Sequence, residues 1–402
     1  MATAHIISQI RSERTLSKSR SGNSRATNSE NTTHFLKKSP LSARVAFYPH
    51  SSSGAFLYTR AEVGTRQRSF KPPVETTSRQ TKIIMKQLFL TAALFVFAVG
   101  LAFTQEQNQA QSSWKSQQKN ISYGFELSTG FESAFTSEYV YYKESGDVMS
   151  RLDWNAPFSP KIALGGNLNV FHAVLGADFE IAVPIRAGSM EDWDYLKDDH
   201  SRATNYSTSD LIVNKNYEFE IKGGYEFLIS NFRILPEAGF KYKNQKMEAS
   251  GGYLQYGSLD SSEGGYWSSN LKKYDLTGTV ITYEQQFFMP FVLLNLEYKF
   301  LNDWTGKIFF RYYPSIRCDA IDMHNERMTQ FNDFMTGGKG FALGTKIQWK
   351  DWELSFTYEW LKCDEGNTTQ RNFGHTTYLS DSDSEPGTES EIFKLLVTYH
   401  IK

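Results

Sequence analysis

From residue 121 to its end the chain alternates apolar with polar residues, and the polar half is charged. Phe179, Ile181 and Val183 alternate with Asp178, Glu180 and Ala182. Tyr217, Phe219 and Ile221 alternate with Glu218, Glu220 and Lys222, and Leu294, Leu296, Tyr298 and Phe300 with Asn295, Glu297 and Lys299. Trp352, Leu354, Phe356, Tyr358 and Trp360 repeat the pattern, and Phe393, Leu395, Val397, Tyr399 and Ile401 close the chain. Successive side chains of a strand point to opposite faces, so each stretch has one apolar and one polar face. The polar faces are too charged to form the packed core of a sandwich, where each unpaired charge would cost several kcal/mol. Lipid against the apolar faces and a polar interior satisfies both, which is the pattern of an outer-membrane barrel. An open sheet edge cannot be satisfied in lipid, so the sheet must close.

The spacing predicts an all-β fold, a ten-stranded antiparallel transmembrane β-barrel with long extracellular loops. Strands are expected at 121–138, 148–168, 171–188, 209–227, 232–252, 276–299, 304–318, 337–349, 352–363 and 389–401. Short turns fall at Leu228–Asn231, Phe300–Asp303 and Lys350–Asp351, and longer polar segments at 189–208, 253–275, 319–336 and 364–388. Trp304, Trp349, Trp352 and Tyr399 are placed near the interfaces. Many strands exceed what a bilayer needs, so a site can stand on a rigid rim above the lipid.

Composition divides the 402 residues into unlike parts. Residues 1–84 hold 14 Lys+Arg against 4 Glu and no Asp, whereas residues 103–402 hold 28 Lys+Arg against 40 Asp+Glu, and 51 of the 60 aromatics. Met85-Lys86 followed by an apolar stretch to Gly100 and Ala102 reads as a secretory signal peptide over 85–102. On that reading 1–84, basic and without hydrophobic period, is either an extension upstream of the true start at Met85 or a disordered or targeting leader, 103–120 is a short N-terminal segment, and 121–402 is the barrel domain. No apolar run reaches ~18 residues, which excludes a helical bundle in the membrane. Two cysteines, Cys318 and Cys363, are too few for a disulfide framework or a zinc site.

Two polar clusters carry candidate chemistry. Ser189-Met190-Glu191-Asp192-Trp193-Asp194 sets two carboxylates at i and i+2, on one face of an extended chain. Close like charges raise a pKa and hold a water or a cation. Cys318-Asp319-Ala320-Ile321-Asp322-Met323-His324 sets an Asp and a His at the same spacing. A carboxylate beside an imidazole orients it and makes it a competent base. Each pair alone also reads as an ordinary solvated surface pair, and one His with three carboxylates is a donor set for a hard or borderline cation.

At these residues the sequence resembles the omptins, outer-membrane aspartyl/histidine endopeptidases of Gram-negative bacteria. The stretches that carry the resemblance run in order from about 121 to 401: Thr136–Tyr141 with Val148–Trp154, Ser189–Asp194, Asn216–Gly223, Gly251–Tyr256, Gln286–Phe291 and Asp322-Met323-His324. The resemblance implies a barrel with its site in a groove at the outer rim, and catalytic roles for Asp192, Asp194, Asp322 and His324. A water would sit between Asp192 and His324. His324, oriented by Asp322, would take its proton as it attacks the scissile carbonyl, without a covalent intermediate. In the pocket for the side chain before the cut, Glu138 matches the acid, and Met190 and Ile281 match the apolar base. The second acid of that pocket falls on Ala320, with Asp319 displaced by one and taken as its substitute. Positions that bind lipopolysaccharide in the family fall on Asn244 and Gln286. Lys241, Lys243 and Lys246 nearby read as a basic girdle at the headgroups.

The expected function is therefore cleavage of peptide bonds next to basic residues, in the outer membrane, with the active site facing the exterior. No cofactor and no metal are expected, although an outer-leaflet lipid requirement is compatible with the resemblance. Polypeptides and outer-membrane lipid are the expected partners, nucleic acid is not, and the chain is expected to be a monomer. The rival reading is a non-catalytic barrel of the same scaffold, an adhesin or surface receptor. A passive porin fits poorly, because Glu218, Glu220 and Lys222 would pair and plug a narrow lumen.

Overall fold

The computed structural model describes residues 121–257, 264–301, 303–364, 366–372, 379–381 and 384–401. The readings of 1–84 as an upstream extension, 85–102 as a signal peptide and 103–120 as a short segment lie outside the described residues. The strands, in chain order, are β1 (Ile121–Tyr142), β2 (Val148–Val170), β3 (Ala173–Ala182), β4 (Ile185–Asp194), β5 (Asn205–Tyr225), β6 (Phe227–Ile229), β7 (Phe232–Tyr256) and β8 (Tyr274–Asp275). They continue with β9 (Thr279–Leu301), β10 (Trp304–His324), β11 (Thr329–Trp349), β12 (Trp352–Cys363), β13 (Gly366–Asn372), β14 (Leu379–Asp381) and β15 (Ser384–Ile401).

Neighbouring strands pair antiparallel in the order β10, β9, β7, β5, β3, β2, β1, β15, β12, β11, and β10 pairs β11 to close the ring. β4 carries on upward from β3 between the same neighbours, β2 and β5, so the cylinder has ten staves. Short connections gather at one end, where Phe171, Ser230 and Lys350 take positive φ. Trp304 stacks near Trp349 with ring centroids 6.1 Å apart, and Trp352 near Tyr399 at 5.0 Å. These rings gather at the turn end of the cylinder.

The inverted polarity read from the sequence is what the structure adopts. Phe125, Leu127, Ile162, Leu164, Phe179, Ile181, Phe219, Ile221, Leu294, Leu296, Ile308 and Phe310 all face outward and are exposed. Their alternating partners are buried inside as ion pairs. Glu218 on β5 meets Lys241 on β7 at 2.9 Å and Lys394 on β15 at 2.6 Å. Lys161 on β2 meets Glu132 on β1 at 2.9 Å, and Lys241 also meets Glu359 on β12 at 2.9 Å. Glu220 is held by Arg311 at 2.7 Å and Lys222 at 3.1 Å. The wall is thus tied across its own lumen.

Lys241 and Lys243 are not part of a headgroup girdle. They are 3% and 0% exposed and point into the lumen, because they alternate with the outward-facing ring of Tyr242. Outside, Asn244 donates to Glu284 at 3.2 Å, and Tyr242 donates to Gln286 at 3.3 Å.

The strands also run further than expected at the end away from the short turns. Segments 189–194, 319–324 and 329–336, read as loop, are the upper parts of β4, β10 and β11. A tilted strand crosses a bilayer in ~9–11 residues, whereas β1, β2, β5, β7, β9, β10 and β11 have 21 to 25. About half of each of these long strands therefore stands outside the lipid, where nothing demands apolar alternation.

Since Glu218 holds several buried lysines, Glu218→Gln should lower the free energy of unfolding in detergent by about 3–5 kcal/mol, as expected when one member of a buried ionic network is removed. A loss below about 1 kcal/mol would show that the lumen pairs behave as surface pairs.

Candidate functional site

The site is built on two walls that face each other above the lipid. β4 and β10 are separated by β5, β7 and β9 one way round and by β2, β1, β15, β12 and β11 the other. Their inward side chains therefore look at each other across the interior rather than along the wall. Both carry the i, i+2 pairs singled out in the sequence.

On β10, Ala320, Asp322 and His324 alternate inward and are buried. His324 Nε2 lies 2.6 Å from Asp322 Oδ2, and the edge of Phe331 closes on the imidazole with centroids 5.5 Å apart. A tight turn at Asn325–Arg327 returns the chain into β11 directly after His324. The imidazole thus sits at the lip of a rigid hairpin, oriented by a carboxylate and an aromatic ring.

On β4, Met190, Asp192 and Asp194 share the inward face, and all three are buried. Ser150 on β2 donates to Asp192 Oδ1 at 3.3 Å, and the Asn205 amide donates to Asp194 Oδ2 at 3.0 Å. The opposite face of β4 is sealed by an aromatic cluster in which Trp193 meets Tyr206 at 4.3 Å and Trp267 at 5.3 Å. Gly188, with φ 106°, precedes this segment at a register shift. A Cβ there would lie 1.8 Å from the carbonyl oxygen of Asn155, so only glycine lets β4 approach β2 this closely. Burial pushes the Asp192 carboxyl up to about 8, the Asp194 charge adds to the rise, and the positive charge of Arg327 opposes it.

Beside His324 lies a small cavity lined by Glu138, Ser150, Leu152, Asp322, His324 and Asp333, together with Val140, Phe331, Thr368 and Ser384. Glu138 on β1 shares a register row with Leu152 and Asp192. Two strand spacings, roughly 10 Å along the wall, separate it from Asp192. Burial, and then the charges of Asp322 and Asp333, hold its carboxyl well above the usual range. Asp333 on β11 accepts a 2.7 Å hydrogen bond from Thr368 on β13. Burial pushes its carboxyl up to about 7.

Met190 and Ile281 do not line this cavity. Both belong to the adjoining apolar cluster with Trp154 and Tyr283, whose rings stack at 5.7 Å. Ile281 on β9 stands opposite His324 on β10, and Met190 lies one inward position before Asp192 on β4.

Asp319 is the sequence-predicted residue that the structure removes from the site. It lies on the outward face of β10 and forms a paired contact with Arg317, Nε to Oδ1 at 3.0 Å and Nη2 to Oδ2 at 2.6 Å. Odd and even positions of one strand face opposite ways, so a carboxylate at 319 cannot replace one at 320. Cys318 and Cys363 are both buried free thiols.

A family comparison can now be set beside this geometry. The sequence profile of the Omptin family matches residues 117–390. The chain belongs to the omptin family. Among its relatives is "Plasminogen activator" of Yersinia pestis, 25% identical over 263 residues that make up 64% of this chain and 79% of the relative. "Outer membrane protease OmpP" of Escherichia coli (strain K12) is 31% identical over 214 residues, 51% of this chain and 65% of that protein. The crystal structure of the outer membrane protease OmpT from Escherichia coli shares the fold, with a TM-score of 0.60 at 20% identity, over 71% of this chain and all of that one.

Four residues of this omptin's cleft were not identified from sequence: Asp333, Thr368, Arg327 and Ser150. None belongs to a spaced motif. Asp333 joins the site only through the β10–β11 register, in which it faces Ala320. The structural dependence on Gly188 is open to test. Gly188→Ala should lower the thermal midpoint of the barrel, and an unchanged midpoint would show that this contact does not aim β4.

Proposed function

We propose that the chain is an outer-membrane endopeptidase whose rim faces the cell exterior and which hydrolyses polypeptides next to basic residues. The observation that supports this most is the Asp322–His324 hydrogen bond opposite the Asp192–Asp194 pair, with acids at the bottom of the same cleft. An imidazole fixed by a carboxylate at one nitrogen can use the other as a base. A water held between His324 and the Asp192 carboxylate attacks the scissile carbonyl, and His324 takes its proton. The C–O bond forms, the carbonyl π electrons become an oxyanion, and collapse expels the amine as His324 returns the proton to nitrogen. Asp322 stabilises the imidazolium in between. Asp194, held by Asn205, supports Asp192 from one strand position on.

Cleavage of a quenched peptide with an Arg-Arg or Lys-Arg core by the purified protein tests the reading. Asp192→Ala and His324→Ala should each lower kcat/KM by ~10²-fold or more, as removal of a positioned acid or base does. Equal rates in all three proteins would remove the site. Loss of activity with a chelator and recovery with added metal would instead favour a cation among the carboxylates.

The pH dependence has a definite sign. A carboxyl raised to about 8 is protonated below that value and becomes an acceptor for the water above it. The rate should therefore climb with pH through a midpoint near 8, an apparent value that belongs to the interacting acids together. Arg327→Gln removes a positive charge that favours the ionised form, so the rising limb should move to higher pH. A limb that stays in place in Arg327→Gln would contradict the assignment to Asp192.

A further inference from the structure

We infer that Asp333, with Glu138, forms a two-carboxylate pocket that receives the cationic head of a basic side chain of the substrate, Asp333 being its second acid. The inference rests on the endopeptidase reading and names a specificity-determining residue that no sequence motif marks.

Both side chains are buried, 3% exposed for Glu138 and 7% for Asp333, and both line the cavity that holds Asp322 and His324. The polar neighbour of the buried Glu138 carboxyl is the Trp154 indole, which carries no charge. Neither acid has a Lys, Arg or His within ion-pair distance among the described residues, in contrast to the lumen. There Glu132, Glu218 and Glu359, equally buried, each meet at least one lysine. Buried charges are paired in folded proteins because isolation in a poor dielectric is costly. These three acids lower in the barrel are neutralised by lysines, whereas Glu138 and Asp333 have no such cation among the described residues. The missing charge fits a ligand that brings one.

The register explains how the second acid reaches the pocket. Asp333 stands directly opposite Ala320 on the neighbouring strand. Paired residues on one face have Cβ atoms roughly 4.5–5.5 Å apart. The methyl of Ala320 leaves room beside itself, and the carboxylate of Asp333 projects from the facing position with one oxygen fixed by Thr368. Two carboxylates from separate strands suit a multi-donor cation better than one does.

The test compares kcat/KM for peptides that carry arginine or its neutral isostere citrulline before the cut. In the wild-type protein arginine should be preferred. Asp333→Asn should reduce that preference by about 30-fold or more, the lower end of what losing one partner of a buried charge pair costs. The loss should fall mainly on KM, with cleavage of the citrulline peptide little changed. Ala320→Asp/Asp333→Ala, which moves the acid across the register pair, should restore the preference. It also carries the test if Asp333→Asn does not fold, since a swapped variant without preference would overturn the inference. An arginine-to-citrulline ratio equal in wild type and Asp333→Asn would overturn the inference and leave the protease reading standing. A wild-type protein that cleaves neither peptide would overturn both.

Discussion

The structure depends on the neutralisation of charge inside a closed wall. An antiparallel ring in lipid has to turn its polar side chains inward, and in a ten-stave cylinder they cannot all be hydrated. Glu132, Glu218 and Glu359 are interleaved with Lys161, Lys241, Lys243 and Lys394, drawn from staves that are distant in sequence. These contacts tie the cylinder in one register across its lumen, where several of them line a polar cavity of about 410 Å³. Above them, the upper parts of the long staves serve as a stiff mount.

That mount decides what kind of site can form. Asp192 and His324 are positioned by strand alternation and by inter-strand hydrogen bonds, not by mobile loops. Each is backed by a second contact, from Ser150 and Asp322 respectively. The electrostatic logic also reverses between the two levels of the barrel. In the lumen, Glu132, Glu218 and Glu359 are matched by lysines of the same chain. At the rim, Glu138 and Asp333 face the cavity without such partners among the described residues, and their burial raises both carboxyls. On the proposed reading, a basic side chain of the substrate supplies the positive charge that these two acids lack.

Much of this was legible in the sequence, for physical reasons that also explain what was not. Where staves touch lipid, one face must be apolar, so the period of two is strong and the ten-stave ring and its inverted polarity followed directly. Above the lipid that requirement lapses, and the upper parts of β4, β10 and β11 looked like loop. The i, i+2 carboxylates and the Asp322–His324 pair were visible because strand spacing brings such residues to one face. Parity, applied consistently, would also have excluded Asp319, which is odd relative to Asp322, and turned Lys241 and Lys243 inward, opposite Tyr242. Asp333 was beyond reach of any linear motif, since only the pairing of β10 with β11 brings it opposite Ala320.

The central claim is that the two facing walls act on one water, and a double-mutant cycle on kcat/KM measures this most directly. Groups that serve a single shared step are strongly non-additive. The account predicts that Asp192→Asn combined with His324→Gln is little worse than the more damaged single variant. If the two losses multiply, each residue acts independently, and the shared water that joins the walls does not exist.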